Sequence, residues 1–358
     1  MSNAPSNAAA RGVARYAALD GLRGVAALCV VQHHVLQSGC YQPEPVFVEA
    51  VFQGYFSVLV FFVLSGFALS AALERKHAYQ NWLARRALRL YPPVLATVGL
   101  YLLAETEPAI RSITYSKAGF ILPAPHSIQN AVNAALLILG HPGGVLWSMA
   151  VEVRASIVMP LVKMLTDWLN ARPASVLVTM ATVAGSEVAA TALGWEGLLT
   201  RWAQASYLLL FLTGALLFAN REIVTRLSEK AAWIPRTIAV LALAIMFFAH
   251  AGAAGEYGGW HLAALKLAAI LAVVCVVGGG VPKGFLTSKP IAFLGAVSYS
   301  LYLCHSLVIE GLRVTWPGLF AVAPAFNCVC LAVSVGLAWL LFLGIERPTT
   351  SWSRRFAK

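Results

Sequence analysis

Long apolar stretches separated by short basic loops constrain this chain more than any other feature of its sequence. Hydrophobic residues make up 59% of the 358 residues and charged residues only 11%, whereas a soluble domain carries roughly 25% charged residues. Apolar stretches of about 20 residues are typical of membrane-spanning helices, because a helix satisfies its own backbone hydrogen bonds inside a bilayer. The sequence therefore predicts an all-α bundle of membrane-spanning helices.

About ten spans of suitable length fit the sequence, of which the seventh is short. They cover residues 16–37, 54–74, 87–104, 145–166, 174–193, 202–219, 237–250, 261–279, 291–313 and 320–343. Residues 1–15 are predicted to be a disordered cytoplasmic N-terminus, residues 16–346 a single transmembrane domain and residues 347–358 a basic cytoplasmic tail. Residues 127–140 are a candidate short helix at the outer face of the membrane.

The positions of the 26 lysines and arginines give the chain an orientation. With the N-terminus inside, most of them lie in loops or span ends on the inner side. The basic residues outside are Arg111, Lys117, Arg201 and Arg313. Since basic loops stay in the cytoplasm, both termini are predicted to be cytoplasmic, in a multi-pass protein of the plasma (inner) membrane. The net charge of +11 reflects this orientation, and no nucleic-acid partner is expected because the basic residues form no water-exposed cluster.

Ionisable side chains inside the predicted spans are the first candidates for chemistry, since each costs about 2.5–3.5 kcal/mol at the centre of a bilayer. Arg23 and His34 lie in the first span, Glu152 and Arg154 in the fourth, and His305 in the ninth. Eleven helical residues return to within roughly 20° of the starting direction, so Arg23 and His34 share one helix face about 16 Å apart. The first span therefore carries two costly polar groups separated by half a bilayer.

Six short motifs occur in order along the chain. They are Leu19-Asp20-Gly21-Leu22-Arg23-Gly24 with His34, Phe62-Val63-Leu64-Ser65-Gly66-Phe67, Arg85-Arg86-Ala87-Leu88-Arg89-Leu90-Tyr91-Pro92, Leu146-Trp147-Ser148 with Glu152, Ser298-Tyr299-Ser300-Leu301-Tyr302-Leu303-Cys304-His305, and Ile345-Glu346-Arg347-Pro348. Together they resemble the acyltransferase-3 family of integral membrane acyltransferases. The resemblance makes residues 16–346 a transmembrane acyltransferase domain.

The resemblance implies transfer of an acyl group, usually acetyl from acetyl-CoA, to a hydroxyl of a glycan or of another exported or lipid-linked acceptor. Its Arg-x10-His signature falls on Arg23 and His34, and its Arg-x-x-Arg signature falls on Arg86 and Arg89. It also marks Tyr302 and His305 as motif positions. The expected donor is therefore acyl-CoA, the expected acceptor is a carbohydrate or another hydroxyl compound, and no metal is expected.

Charge supports a donor site at the start of the third span. CoA is polyanionic and is made in the cytoplasm, so its phosphates need cationic groups at that surface, where Arg86 and Arg89 lie near a helix N-terminus. We expect Arg23 to help hold the same donor. Anchoring by basic residues on the inner side also explains these arginines, and Arg75 and Lys76 are read as anchors.

His34 is the expected general base, since a neutral imidazole can take a proton from an acceptor hydroxyl near neutral pH. Asp20 is too far along the helix to orient His34 and is expected to pair with Arg23. Glu152 is expected near the outer end of the fourth span, at the depth of His34. There it would orient the His34 imidazolium or bind the acceptor beside Trp147. Ser148 accompanies Trp147 in the same motif.

Two further positions have alternative interpretations. For Tyr302 and His305, hydrogen bonding between helices is as good an explanation as catalysis. Ser65, beside Gly66, indicates close helix packing first and a hydrogen bond near the thioester second.

Functions from other classes are a multi-span transporter or permease and a non-catalytic component of a glycan assembly complex. A transporter would be favoured by inverted repeats, which the sequence does not show. A scaffold would leave the cost of a buried His34 and Glu152 unexplained. Within the enzyme interpretation, a succinyl donor or a small-molecule acceptor remains an alternative.

Overall fold

The computed structural model describes residues 7–41, 46–74, 78–104, 145–168, 196–252, 259–281 and 284–357, together with isolated positions between 174 and 189. Within these ranges the regular elements are helices and no strand occurs, which confirms the all-α prediction. The candidate helix at 127–140 and nearly all of the fifth predicted span lie outside the described residues.

Helices cover the other nine predicted spans. In chain order, all the α-helices that the described ranges contain are α1 (Asn7–Val35), α2 (Val46–Val51), α3 (Gly54–Leu73), α4 (Tyr79–Ala104), α5 (Leu146–Trp168), α6 (Glu196–Ala219), α7 (Arg221–Lys230), α8 (Trp233–Gly252), α9 (Gly259–Val277), α10 (Lys289–Thr315), α11 (Pro317–Phe320), α12 (Ala323–Leu341) and α13 (Arg347–Ser353). A π-helical turn, Leu36–Cys40, follows α1, and a second, Phe342–Glu346, joins α12 to α13. The chain ends in a 3₁₀ turn, Arg354–Ala357.

Among the described residues, 5 helical stretches are long and apolar enough to cross a membrane, or 6 if a pair bent by 64° counts as one span. The five are Phe47–Leu73, Tyr79–Ala104, Trp260–Val277, Lys289–Thr315 and Ala323–Ser353. Helices α1 and α5 fall below this limit although they are long, because they carry several charged residues, among them Arg23 and Glu152. The chain is therefore a helical multi-span membrane protein.

Both ends of the predicted transmembrane domain differ from the sequence-based boundaries. Helix α1 begins at Asn7, inside the segment predicted to be disordered, because Ala8, Ala9 and Ala10 are strong helix formers. Residues 347–357, predicted as a basic tail, form α13 and the 3₁₀ turn. Helix α13 and the 3₁₀ turn both pack against α4. The C-terminal arginines therefore lie on an ordered surface.

The described helices form two compact units. The first contains Met1–Leu28, Tyr55–Glu74 and Leu161–Ala296, and the second contains Cys29–Gly54, Arg75–Pro160 and Val297–Lys358. Helices α1, α5 and α10 contribute residues to both units.

Glycines let helices of the first unit approach each other closely. A Cβ atom at Gly66 of α3 would collide with the carbonyl oxygen of Phe211 on α6, and a Cβ at Gly24 of α1 would lie 2.5 Å from the backbone nitrogen of Gly295. The glycines of the first and second motifs therefore act in helix packing, which confirms the first interpretation of the Ser65-Gly66 pair.

The first unit also buries a lysine. Lys266 of α9 is fully buried, and its Nζ donates a hydrogen bond of 2.7 Å to Ser206 Oγ. The same Nζ lies 4.8 Å from the centroid of the Tyr207 ring. Hydroxyl and aromatic groups thus solvate the amine inside the helix bundle.

Candidate active site

The second unit places two histidines from distant parts of the sequence against each other. His34, near the end of α1, stacks on His305 of α10, with ring centroids 5.1 Å apart and ring planes inclined by 29°. His33 lies beside His34 with a centroid distance of 5.4 Å. The candidate base therefore has an aromatic neighbour that the order of the motifs alone did not show.

Hydrogen bonds indicate which ring nitrogen of His305 carries the proton in the neutral form. Its Nδ1 lies 3.2 Å from the carbonyl oxygen of Leu301, and its Nε2 lies 3.3 Å from Ser306 Oγ. A carbonyl oxygen can only accept, so Nδ1 carries the proton and Nε2 accepts from the Ser306 hydroxyl. His305 is fully buried and both of its ring nitrogens are occupied, so its surroundings favour the neutral imidazole.

His34 differs from His305 in its surroundings. It is half-buried, and its ring nitrogens make no hydrogen bond within the described part of the chain. A ring held by stacking but with available nitrogens can exchange a proton with a reactant. The two stacked histidines thus differ in whether their ring nitrogens are occupied within the described residues.

Tyr302 and Ser148 extend the polar cluster around His305. The Tyr302 ring lies 5.9 Å from the His305 ring, and its hydroxyl lies 2.8 Å from Ser148 Oγ. The Tyr302 hydroxyl also donates to the carbonyl oxygen of Val145, at 3.1 Å. Both residues therefore connect the start of α5 to α10, and Trp147 lies half-buried beside Ser148 on α5.

Arg154, also half-buried on α5, lies two residues beyond Glu152.

Glu152 has a different partner from the one the sequence predicted. Its Oε1 accepts a hydrogen bond of 2.6 Å from Arg86 Nη2, and Arg86 Nε donates to Ser156 Oγ at 3.1 Å. The two charged side chains are only 10% and 12% exposed. Glu152 and Arg86 therefore form a buried ion pair between α5 and α4.

The register of α4 against α5 explains this pairing. Tyr79 donates to the carbonyl oxygen of Ile157, and Trp82 Nε1 donates to that of Ser156, so the two helices run antiparallel. Since α5 begins only at Leu146, its first turn lies level with roughly the middle of α4, near Pro92. Glu152 is thus closer to the N-terminal half of α4 than the predicted span boundaries implied.

Three further polar residues of the site emerged only from the structure. Tyr299 donates a 2.7 Å hydrogen bond to the carbonyl oxygen of Leu90 on α4. Ser300 donates to Glu346 Oε2 at 2.6 Å, and Ser156 holds Arg86. Tyr299, Ser300 and Glu346 lie inside the quoted motifs, but motif membership did not indicate these contacts.

These contacts define a polar track along α10, formed by Arg86, Glu152, Tyr299, Ser148, Tyr302, His305 and His34. Tyr299, Tyr302 and His305 follow each other at intervals of three residues, so the track rises by about 9 Å from Tyr299 to His305. It joins the arginines of α4 to the histidine pair.

Three of the predicted site residues, Asp20, Arg23 and Ser65, belong to the first unit. Arg23 Nη1 lies 3.8 Å from Asp20 Oδ1, which confirms the expected pair one helical turn apart. Ser65 is half-buried on α3. In the residues that the structure describes, no group of three His, Cys, Asp or Glu side chains could hold a metal ion.

The fold and the track define a helical membrane protein with a histidine-centred polar site. The profile of the acyltransferase-3 family, described as an acyltransferase domain, matches residues 16–343. The chain belongs to this family, and the predicted class of enzyme, an acyltransferase, is confirmed at the level of the family.

Local similarity to curated proteins agrees with this class. An O-acetyl transferase of Shigella phage Sf6 is 36% identical over 77 residues, which are 21% of this chain and 22% of that protein. The acyltransferase MdmB of Streptomyces mycarofaciens is 32% identical over 104 residues, 27% of each chain. The chain thus matches between about a fifth and a quarter of the length of these relatives. No solved structure matches it.

Proposed function

We propose that this protein is a membrane O-acyltransferase that moves an acyl group from cytoplasmic acyl-CoA to a hydroxyl of an exported, envelope or lipid-linked carbohydrate. Acetyl is the proposed acyl group. Membership of the acyltransferase-3 family supports an acyl donor and a hydroxyl acceptor. The local similarity to a phage O-acetyl transferase supports acetyl in particular.

The observation that carries the proposal is the pairing of His34 with His305. A general base needs a nitrogen with an available lone pair and a fixed ring orientation. His34 has both, because its ring stacks on a fully buried neutral imidazole while its own nitrogens make no hydrogen bond within the described residues.

The proposed reaction is a direct transfer. The acceptor oxygen attacks the thioester carbonyl carbon while His34 takes the hydroxyl proton, which forms the new C–O bond. The C–S bond then breaks, the CoA thiolate leaves, and the imidazolium returns its proton to that sulfur. The products are an O-acyl ester and CoA, and His34 is regenerated.

The proposed topology gives this reaction a direction. Ten spans with both termini in the cytoplasm, in the plasma (inner) membrane, place the start of α4 at the cytoplasmic surface. Arg23 and Arg89 are then proposed donor contacts, and Trp147 is a proposed acceptor contact. The Arg86–Glu152 pair is proposed to hold α4 and α5 in register.

Substitution of His34 tests the function. Purified protein with His34→Ala should fold normally and release no CoA from acetyl-CoA in the presence of envelope polysaccharide. His261→Ala is a matched control, since this histidine lies on α9 in the first unit and is not part of the track. Near-normal acylation by His34→Ala, measured by mass spectrometry of the polysaccharide, would contradict the assignment.

A second experiment separates direct transfer from an acyl-enzyme route. Radiolabelled acetyl-CoA is mixed with the wild-type protein without acceptor, and peptides are examined for label. No labelled histidine is expected for direct transfer. A labelled His34 would replace the general base with a nucleophile at the same position.

A further inference from the structure

Two arginines of α4, Arg85 and Arg89, lie to one side of the buried Arg86, at about 100° and about 60° from it around the helix. Arg85 and Arg89 are four residues apart and therefore lie within about 40° of each other on the helix, whereas Arg85 and Arg86 differ by about 100°. Arg89 is exposed. Arg85 is half-buried, and its Nη1 is buried without a hydrogen-bond partner in the residues that the structure describes.

The C-terminal segment supplies more arginines beside the same helix. Helix α13 and the turn Arg354–Ala357 both pack against α4. Thr349 and Ser353 are buried on the packed side, while Arg347, Arg354 and Arg355 are exposed. The C-terminal segment is held against α4 and thus presents three exposed guanidinium groups beside this helix.

Tyr299 shows which turn of α4 lies near the beginning of α13. Its hydroxyl donates to the carbonyl oxygen of Leu90, the residue after Arg89, and the turn Phe342–Glu346 packs against α4. Glu346 also accepts the hydrogen bond from Ser300 and directly precedes Arg347. The motif Glu346-Arg347-Pro348 is therefore held close to the turn of α4 that carries Arg89.

We propose that these guanidinium groups form one cationic surface, made of Arg85, Arg89, Arg347, Arg354 and Arg355, which binds the phosphates of acyl-CoA. None of the five forms an ion pair within the described ranges, so their charge is available to a ligand. Guanidinium groups bind phosphate oxygens in bidentate fashion, and a polyanionic donor needs several of them. Arg86, engaged by Glu152, is not part of this surface.

The inference rests on the proposed function, and CoA binding tests it directly. The full chain in phosphatidylcholine nanodiscs is titrated calorimetrically with CoA and with pantetheine, which lacks the phosphates. Arg347→Gln and the double variant Arg354→Gln/Arg355→Gln should weaken CoA binding by about fivefold per arginine. Pantetheine binding should stay unchanged, and added salt should reduce the difference between variants and wild type.

Two control variants make the titration specific. Arg226→Gln removes an exposed arginine that pairs with Glu222 elsewhere on the chain, and it should bind CoA like the wild type. Arg347→Lys keeps the charge and should recover most of the affinity that Arg347→Gln loses. Unchanged CoA affinity in the glutamine variants, or an equal loss for pantetheine, would overturn the cationic surface.

A lipid headgroup is the other phosphate that such a surface could bind. Repeating the titration in nanodiscs containing phosphatidylglycerol separates the two sources. The same fivefold differences in both lipids support CoA binding, whereas differences seen only with the anionic lipid assign the arginines to the headgroup and overturn the proposal. A wild-type protein that neither binds nor turns over acyl-CoA would instead reject the proposed function.

Discussion

The imidazole of His305 lies against that of His34, 5.1 Å away between centroids, and its complete burial favours the neutral form. A neutral His305 allows His34 to become protonated without charge repulsion. Two imidazolium ions at this distance would repel each other by about 3 kcal/mol at an effective dielectric constant of 20. His305 therefore orients His34 without competing with it for a proton.

Loss of this neighbour should reduce turnover more than donor binding. His305→Ala removes the stacking surface and should lower kcat about 10- to 100-fold at unchanged KM for acyl-CoA, because small displacements of a reacting group are costly. His305→Phe keeps a flat ring at the same position and should recover part of this loss. Initial rates of CoA release measure both effects. A wild-type kcat for His305→Ala would show that the stack does not position His34.

The sequence was sufficient for the kind of fold and for individual residues of the site. The lengths of the apolar stretches predicted nine helices that the structure describes. The spacing of three residues between Asp20 and Arg23 predicted their ion pair. Both are local properties, which depend on residues near each other along the chain. Ten spans and cytoplasmic termini remain predictions.

Contacts between helices could not be predicted in the same way. The pairing of Arg86 with Glu152 depends on where α5 begins relative to α4, and hydropathy does not fix this offset because both helices are apolar over several turns. The stacking of His34 on His305 likewise joins residues 271 positions apart along the sequence. Motif order indicated that these residues matter but not which of them touch.

Loss of either Arg86 or Glu152 alone should destabilise the protein, whereas replacing both residues together should be tolerated. Arg86→Met alone leaves a buried carboxylate without its partner and should cost about 3–5 kcal/mol of stability, and Glu152→Met should cost a similar amount. The double variant Arg86→Met/Glu152→Met removes both charges and should regain most of the lost stability. Apparent melting temperatures in detergent measure these differences.

An exposed ion pair provides the control for this comparison. Arg226 and Glu222 are paired on α7 with both side chains more than two-thirds exposed, so Arg226→Met should leave the melting temperature unchanged. A double variant at Arg86 and Glu152 that is as unstable as the single variants would contradict a purely structural role for the pair.

The hydrogen bond between Ser148 and Tyr302 should couple α5 to α10. Ser148→Ala and Tyr302→Phe should each destabilise the protein by about 1 kcal/mol, because each leaves a buried hydroxyl or carbonyl with fewer partners. The double variant should cost less than the sum of the two. Thermal unfolding of the four proteins gives the coupling energy, and strict additivity would show that the contact contributes nothing.

The glycines at close helix contacts should tolerate no side chain. A Cβ at Gly24 would lie 2.5 Å from the backbone nitrogen of Gly295, and one at Gly66 would collide with the carbonyl oxygen of Phe211. Backbone atoms cannot move aside alone, so Gly24→Ala and Gly66→Ala should each cost about 1–3 kcal/mol. Gly99→Ala is the matched control, because nothing lies within 4 Å of its Cβ and alanine favours the helix. Melting temperatures of Gly24→Ala and Gly66→Ala that match or exceed the wild-type value, as expected for Gly99→Ala, would contradict a role of these glycines in close helix packing.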